Sequence, residues 1–126
     1  MVKPALAIVA GEFTIHRFDL TAEIPPDLAG QPFCWIARTD AELSIVCRST
    51  LEIDSAKQST GWSCLKVQGP LDLELTGILA GIAEVLARAR ISTFALSTFD
   101  TDYLLVKSEQ RELAATALKD AGYIFS

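Results

Sequence analysis

Cysteine, histidine, positive charge and long apolar runs are all in short supply in this chain. The cysteines, Cys34, Cys47 and Cys64, are odd in number and form no Cys-x-x-Cys pair. Each sits in a strand-like segment, so buried free thiols are expected rather than a redox centre. His16 is the sole histidine. With no second histidine or paired cysteine near it, neither a metal site nor a Ser-His-Asp arrangement is expected. No Gly-x-Ser-x-Gly turn and no glycine-rich phosphate loop occurs, so the chain reads as a non-enzyme that needs no cofactor. Lys and Arg number 11 against 16 Asp and Glu, for a formal net charge of −5. Without a basic run, a nucleic-acid surface is excluded. The longest uncharged apolar windows, such as Leu75–Ala83, are too short to cross a bilayer. One lysine and a brief apolar stretch precede Glu12, which does not make a signal peptide. A cytoplasmic protein without a membrane partner is expected.

What the chain does contain is apolar residue in quantity, 50% against 21% charged over 126 residues. That suffices for one compact domain or two small fused halves. A near-repeat favours the second. Trp35–Val46 and Leu96–Val106 each read as strand, acidic turn, strand, and a shift of 60 positions aligns Asp40 with Asp100, Glu42 with Asp102 and Val46 with Val106.

The N-terminal half reads as short strands at Phe13–Phe18, Phe33–Arg38 and Leu43–Arg48. Asp19–Gln31, with Pro25-Pro26, holds no more than a turn of helix. Asp54–Gly61 is polar and reads as a loop or frayed turn at the junction, giving halves 1–61 and 62–126. In the second half Trp62–Val67 is a strand, with Ser63, Leu65 and Val67 on one face, and Gly69-Pro70 ends it. From Asp72 the residues Leu75, Ile78, Leu79, Ile82, Val85, Leu86 and Ala89 make one helical stripe, with Asp72 as N-cap and Glu74 in the first turn. Strands Ile91–Ser97 and Asp102–Lys107 follow. A second helix is capped by Ser108, carries the stripe Leu113, Ala114, Ala117, Leu118 and Ala121, and stops at Gly122. Tyr123–Phe125 supplies a last strand. The order is β-α-β-β-α-β, an α+β ferredoxin-like unit with an antiparallel sheet and helices on one face.

On these residues the second half resembles an ACT domain, the small ferredoxin-like module that binds amino acids and regulates metabolic enzymes. The resemblance rests on Gly77-Ile-Leu-Ala80, the apolar helix to Ala89, and Ser97-Thr-Phe99 followed by Asp102 and Leu105-Val106. Within that family the pattern is similar to small bacterial proteins of paired ACT units and to the C-terminal part of the cytosolic arginine sensors of animal growth signalling. The resemblance implies tandem ACT units with a degenerate N-terminal one. It also implies a free amino acid held at an ACT–ACT interface, with Gly77 and Ile78 on the helix side and Thr98, Phe99 and Asp102 on the corner side. Leu75 stands where the arginine sensors have glutamate, and an apolar residue there cannot pair with a guanidinium. Which amino acid binds is left open.

The residues on their own fit such a ligand. A helix N-terminus suits a carboxylate, Asp100 or Asp102 suits an ammonium, and Phe99 offers a wall. Open sheet edges predict a homodimer. The competing reading is a protein–protein interaction module whose ligand site is vestigial.

Overall fold

The computed structural model describes residues 3–69, 72 and 76–126. It is a mixed α/β fold in the order β1 (Leu6–Phe18), β2 (Trp35–Arg38), β3 (Leu43–Arg48), β4 (Lys57–Val67), α1 (Ile78–Arg88), β5 (Phe94–Ser97), β6 (Asp102–Lys107) and α2 (Arg111–Asp120). Single 3-10 turns occur at Pro26–Leu28 and Ser108–Gln110. The chain forms two compact units, one of Met1–Ala10 with Trp62–Ser126 and one of Gly11–Gly61. Strands β1 and β4 each give residues to both.

In the unit that carries the helices the strand order is β1-β4-β6-β5, and β6 runs antiparallel to both its neighbours. Period-two alternation turns Leu65 and Val67 of β4 and Leu104 and Val106 of β6 toward one core. Ile82 and Leu86 of α1 and Ala114 and Leu118 of α2 pack into the same core. Each such leucine or isoleucine contributes about 1.5–3 kcal/mol over its exposed state. The α1 stripe thus faces the core as its periodicity predicts. The α2 stripe is narrower than expected, because Leu113 is 51% exposed, one helical step of about 100° from the Ala114–Leu118 line.

Two expected caps differ. Helix α1 starts at Ile78 with Gly77 as N-cap, whereas Asp72 is exposed and outside the helix. The φ of +80° at Gly77 cannot continue a right-handed helix toward the N-terminus. Pro70, Glu74 and Leu75, assigned above to the strand break and the first turn, lie outside the described residues. Ser108 makes no cap bond to α2, and its hydroxyl instead pairs with Ser63 Oγ at 2.8 Å. The last strand is reduced to one parallel bridge between Leu6 and Phe125. There Leu6 N–H donates to Ile124 O at 2.7 Å and Ser126 N–H to Leu6 O at 2.8 Å. The strand expected from Ile91 begins only at Phe94.

Both helices end in the same doubly bonded turn. After α2, Gly122 N–H reaches Lys119 O at 2.9 Å and Tyr123 N–H reaches Leu118 O at 3.0 Å, with Gly122 at φ +99°. After α1, Arg90 N–H reaches Ala87 O at 3.0 Å and Ile91 N–H reaches Leu86 O at 2.9 Å. Here the left-handed position belongs to Arg90, at φ +62°. A side chain in that region is unfavourable by about 1–2 kcal/mol, partly offset by the greater unfolded-state freedom of glycine. Arg90→Gly is therefore expected to stabilise the fold by about 0.5–1 kcal/mol, a rise of roughly 2–5 °C in Tm. Paired denaturant and calorimetric melts measure it.

The Gly11–Gly61 unit has the strand order β2-β3-β1, antiparallel throughout. Its core is Phe18, Leu28, Leu43, Ile45 and Cys47. Cys47 and Cys64 are buried, Cys34 is half-buried, and none of the three is in a disulfide. Burial, and then the neighbouring Cys34, pushes the Cys47 thiol up to about 11, so it is protonated and unreactive at neutral pH. The segment expected as a loop over Asp54–Gly61 is strand from Lys57 onward. Its polar sequence hid this, because Lys57, Gln58 and Thr60 are exposed.

The two units repeat a hairpin, in a register one residue different from the sequence alignment. Trp35–Arg38 and Leu43–Arg48 have the lengths of Phe94–Ser97 and Asp102–Lys107, 59 positions on. In each the turn is closed by a threonine. Thr39 N–H donates to Glu42 O at 2.9 Å, and Thr98 N–H donates to Thr101 O at 2.9 Å. The Thr39 hydroxyl accepts Glu42 N–H at 3.2 Å and the Thr98 hydroxyl accepts Thr101 N–H at 3.3 Å. Arg48 lies over the ring of Phe13, its partner across the strands, as Lys107 lies over Trp62. Thr14 Oγ meets Ser49 Oγ at 2.8 Å as Ser63 Oγ meets Ser108 Oγ. In this frame Thr39 matches Thr98 and Leu43 matches Asp102, so the acidic alignment of Asp40 with Asp100 and Glu42 with Asp102 is corrected.

Candidate functional site

Helix α1 begins abruptly. Gly81 N–H is the first to close an intrahelical bond, to Gly77 O at 2.9 Å. The N–H groups of Ile78, Leu79 and Ala80 precede the ladder, and no helix carbonyl among the described residues is available to them. They present donors and partial positive charge at the helix start.

The second element is the β5–β6 corner. Its strands close with the Ser97–Asp102 pair, and the Thr98–Thr101 bonds hold a tip of only Phe99 and Asp100. Thr101 is 5% exposed and its hydroxyl donates to Val67 O at 2.5 Å, which anchors the corner to the end of β4. Ser97 Oγ donates to Asp102 Oδ1 at 2.5 Å. That bond fixes the carboxylate and leaves its other oxygen for a further donor. Phe99 is 79% exposed, so its ring is not a core plug.

The two elements share one depression of about 230 Å³. Gly77, Ile78, Leu79 and Ala80 form the helix side, with Asp72 beside them, and Thr98, Phe99 and Asp100 to Asp102 form the corner side. All five residues expected from the sequence, Gly77, Ile78, Thr98, Phe99 and Asp102, are brought together here. Leu79, Ala80 and Thr101 were not foreseen. What the first two can offer is backbone N–H groups, which side-chain identity does not reveal. Thr101 was legible as the second threonine of the Thr-Phe-Asp-Thr run.

The volume is below the roughly 300–1,000 Å³ of drug-sized pockets and suits a small ligand. One wall offers backbone donors at a positive helix end, the opposite wall offers carboxylates, and an aromatic ring stands at the rim. Such a set complements a carboxylate and an ammonium on one small molecule. Among the described residues no cluster of His, Cys, Asp and Glu is arranged to hold a metal ion. No helix among them is long and apolar enough to cross a membrane.

Comparison with known proteins agrees with this fold. The family model described as ACT domain matches residues 58–120. The crystal structure of protein Atu0741 from Agobacterium tumefaciens is 38% identical, with TM-score 0.90, covering 100% of this chain and 94% of that one. VC0802 from Vibrio cholerae, described as a possible transport protein of unknown function, is 19% identical with TM-score 0.71, covering 92% and 88%. The aspartate kinase of Clostridium acetobutylicum, described as an allosteric enzyme, is 14% identical with TM-score 0.67, covering 87% of this chain and 33% of the kinase. These last two show a shared fold. No match to a curated protein is found.

Proposed function

The chain belongs to the ACT domain family, and on that premise we propose that it is a non-catalytic regulatory protein that binds a free amino acid. The observation that carries this reading is the meeting of the α1 N-terminus with the β5–β6 corner in one small depression. The α-carboxylate lies on the N–H groups of Ile78, Leu79 and Ala80. The α-ammonium lies on Asp102, steadied by Ser97, and the side chain runs toward Phe99. In this reading Gly11–Gly61 is a degenerate ACT-like unit. The repeated hairpin supports that ancestry, and the absence of an α-helix among its described residues, with Leu43 in the place of Asp102, supports the loss of an equivalent site.

The site is completed by a second copy of the chain. Phe99 stands in solvent, and β5 ends the strand order of its unit, so its outer edge is open to pairing. Ligand held between copies stabilises the dimer by linkage. A thermal-shift screen of the common amino acids at millimolar concentration tests the proposal. One or a few are expected to raise Tm in a saturable way, with dimer content rising in parallel. No shift with any of them overturns the ligand role. The exposed Phe99 then favours the interaction-module reading, which co-purification with a partner supports.

A further inference from the structure

Two of the cysteines stand opposite each other in the Gly11–Gly61 unit. The β2–β3 register pairs Trp35 with Val46 and Ile36 with Ile45. Cys34 directly precedes β2, so the next position outward sets it against Cys47. The type of that pair follows from the turn. Thr39 N–H donates to Glu42 O at 2.9 Å, which makes Thr39–Glu42 a hydrogen-bonded pair in the same register. Pair types alternate along an antiparallel ladder, so Trp35–Val46 is hydrogen-bonded and Cys34–Cys47 is not. At such a position the Cα atoms approach to about 4.5 Å and the side chains lie closest. A disulfide spans Cα separations of about 4.4–6.8 Å, so the bond fits without a change of register.

The packing of the side chains agrees with this placement. Cys47 belongs to the core of Phe18, Leu28, Leu43 and Ile45, and Cys34 packs against that same core. Both thiols therefore lie on one face of the sheet, as directly opposed residues do. After burial, the charge of Cys34 is the second cause that raises the Cys47 pKa, an effect of a near neighbour. Cys47 is fully buried, whereas Cys34 is half-buried and within reach of solvent. In the other unit Phe94 pairs with Leu105, so the matching positions there are Thr93 and Val106. The repeated hairpin does not itself require thiols.

We propose that Cys34 and Cys47 form a redox modification site, which closes a reversible disulfide by exchange with a low-molecular-weight disulfide, RSSR. Cys34 attacks first, as its thiolate. A bond forms between Cys34 Sγ and one sulfur of RSSR, and the other sulfur leaves as RS⁻ and takes up the proton Cys34 gave. Cys47 then attacks Cys34 Sγ, which closes the Cys34–Cys47 bond and releases the second RSH. Two protein thiols are oxidised and one RSSR is reduced to two RSH. Burial raises the Cys34 pKa as it does that of Cys47, so Cys47 stays inert toward reagents in solution at neutral pH. Within the mixed disulfide its target is held beside it, and the high effective concentration of an intramolecular attack offsets its small thiolate fraction. The product staples the open end of the β2–β3 hairpin, in a unit with no α-helix among its described residues. It is independent of the amino-acid site proposed above.

Incubation of the full chain with oxidised glutathione, followed by denaturing alkylation and tryptic mass spectrometry, tests it. Trypsin cuts after Arg38 and Arg48, which puts the two cysteines in separate peptides. Those peptides are expected to be joined to each other, with Cys64 alkylated. Closing the loop over residues 34–47 should raise Tm by about 4–10 °C, and dithiothreitol should reverse both changes. Cys34→Thr, which supplies the residue of the other unit, should abolish the link and the rise in Tm. Cys47→Val, chosen on the same ground, should stop the reaction at a Cys34–glutathione mixed disulfide. Three alkylated cysteines after oxidation, a lasting glutathione adduct on Cys34 of the unaltered chain, or a link to Cys64 overturns the proposal.

Discussion

Asp102→Ala is expected to weaken binding of the cognate amino acid by about 10- to 150-fold, corresponding to the roughly 1.5–3 kcal/mol of a charge-assisted hydrogen bond. The effect follows from its position. Asp102 opens β6 opposite Ser97, its carboxylate is held by the Ser97 hydroxyl at 2.5 Å, and it faces the α1 N-terminus across the depression. Removing it takes the ammonium partner away and leaves the carboxylate partner in place. Fold stability should change little, since the residue is only half-buried and belongs to no core cluster. Ser97→Ala is expected to produce a smaller loss, because it frees the carboxylate to rotate without removing it. Isothermal titration of the three proteins ranks them. Equal affinities across the series would remove Asp102 from the site.

Leu104→Ala is expected to have the opposite signature. Leu104 is fully buried and packs with Leu65, Ile82 and Leu118 between the sheet and both helices. Truncation loses the transfer free energy of the side chain and leaves a cavity, at about 2–5 kcal/mol. Against a typical total of about 5–15 kcal/mol, that is a large share. Because Leu104 does not line the depression, ligand affinity measured well below the lowered Tm should be kept. Denaturant unfolding gives the first quantity and titration at low temperature the second. A loss of affinity as large as the loss of stability would mean that core and site are one cooperative element.

The two halves of the chain differ in how openly they write their structure. Helix α1 was visible because Ile78, Ile82, Val85 and Leu86 recur at helical spacing. Its true start was not, because Gly77 reads as a mid-helix residue until its φ of +80° is seen. The β5–β6 corner was legible from Ser97 to Asp102, where polar turn residues interrupt apolar strands. In the first half, β1 was read only from Phe13. Gly11, at φ +91° inside the strand, looks in sequence like a break. The strand part of Lys57–Gly61 was missed because its side chains are polar and mostly solvent-facing. The repeat was found one residue out of register. Asp40 and Asp100 align by residue type, whereas Thr39 and Thr98 make the bonds that define the turn. The anchoring of Thr101 on Val67 O has no local signal, since it depends on segments more than 30 residues apart.

The most direct test is an amide NMR titration of the full chain with each amino acid that raises Tm. Ile78, Leu79 and Ala80 are expected to shift together with Thr98 to Asp102, along a single saturation curve. Shifts confined to one of those segments, or centred elsewhere on the chain, would contradict it.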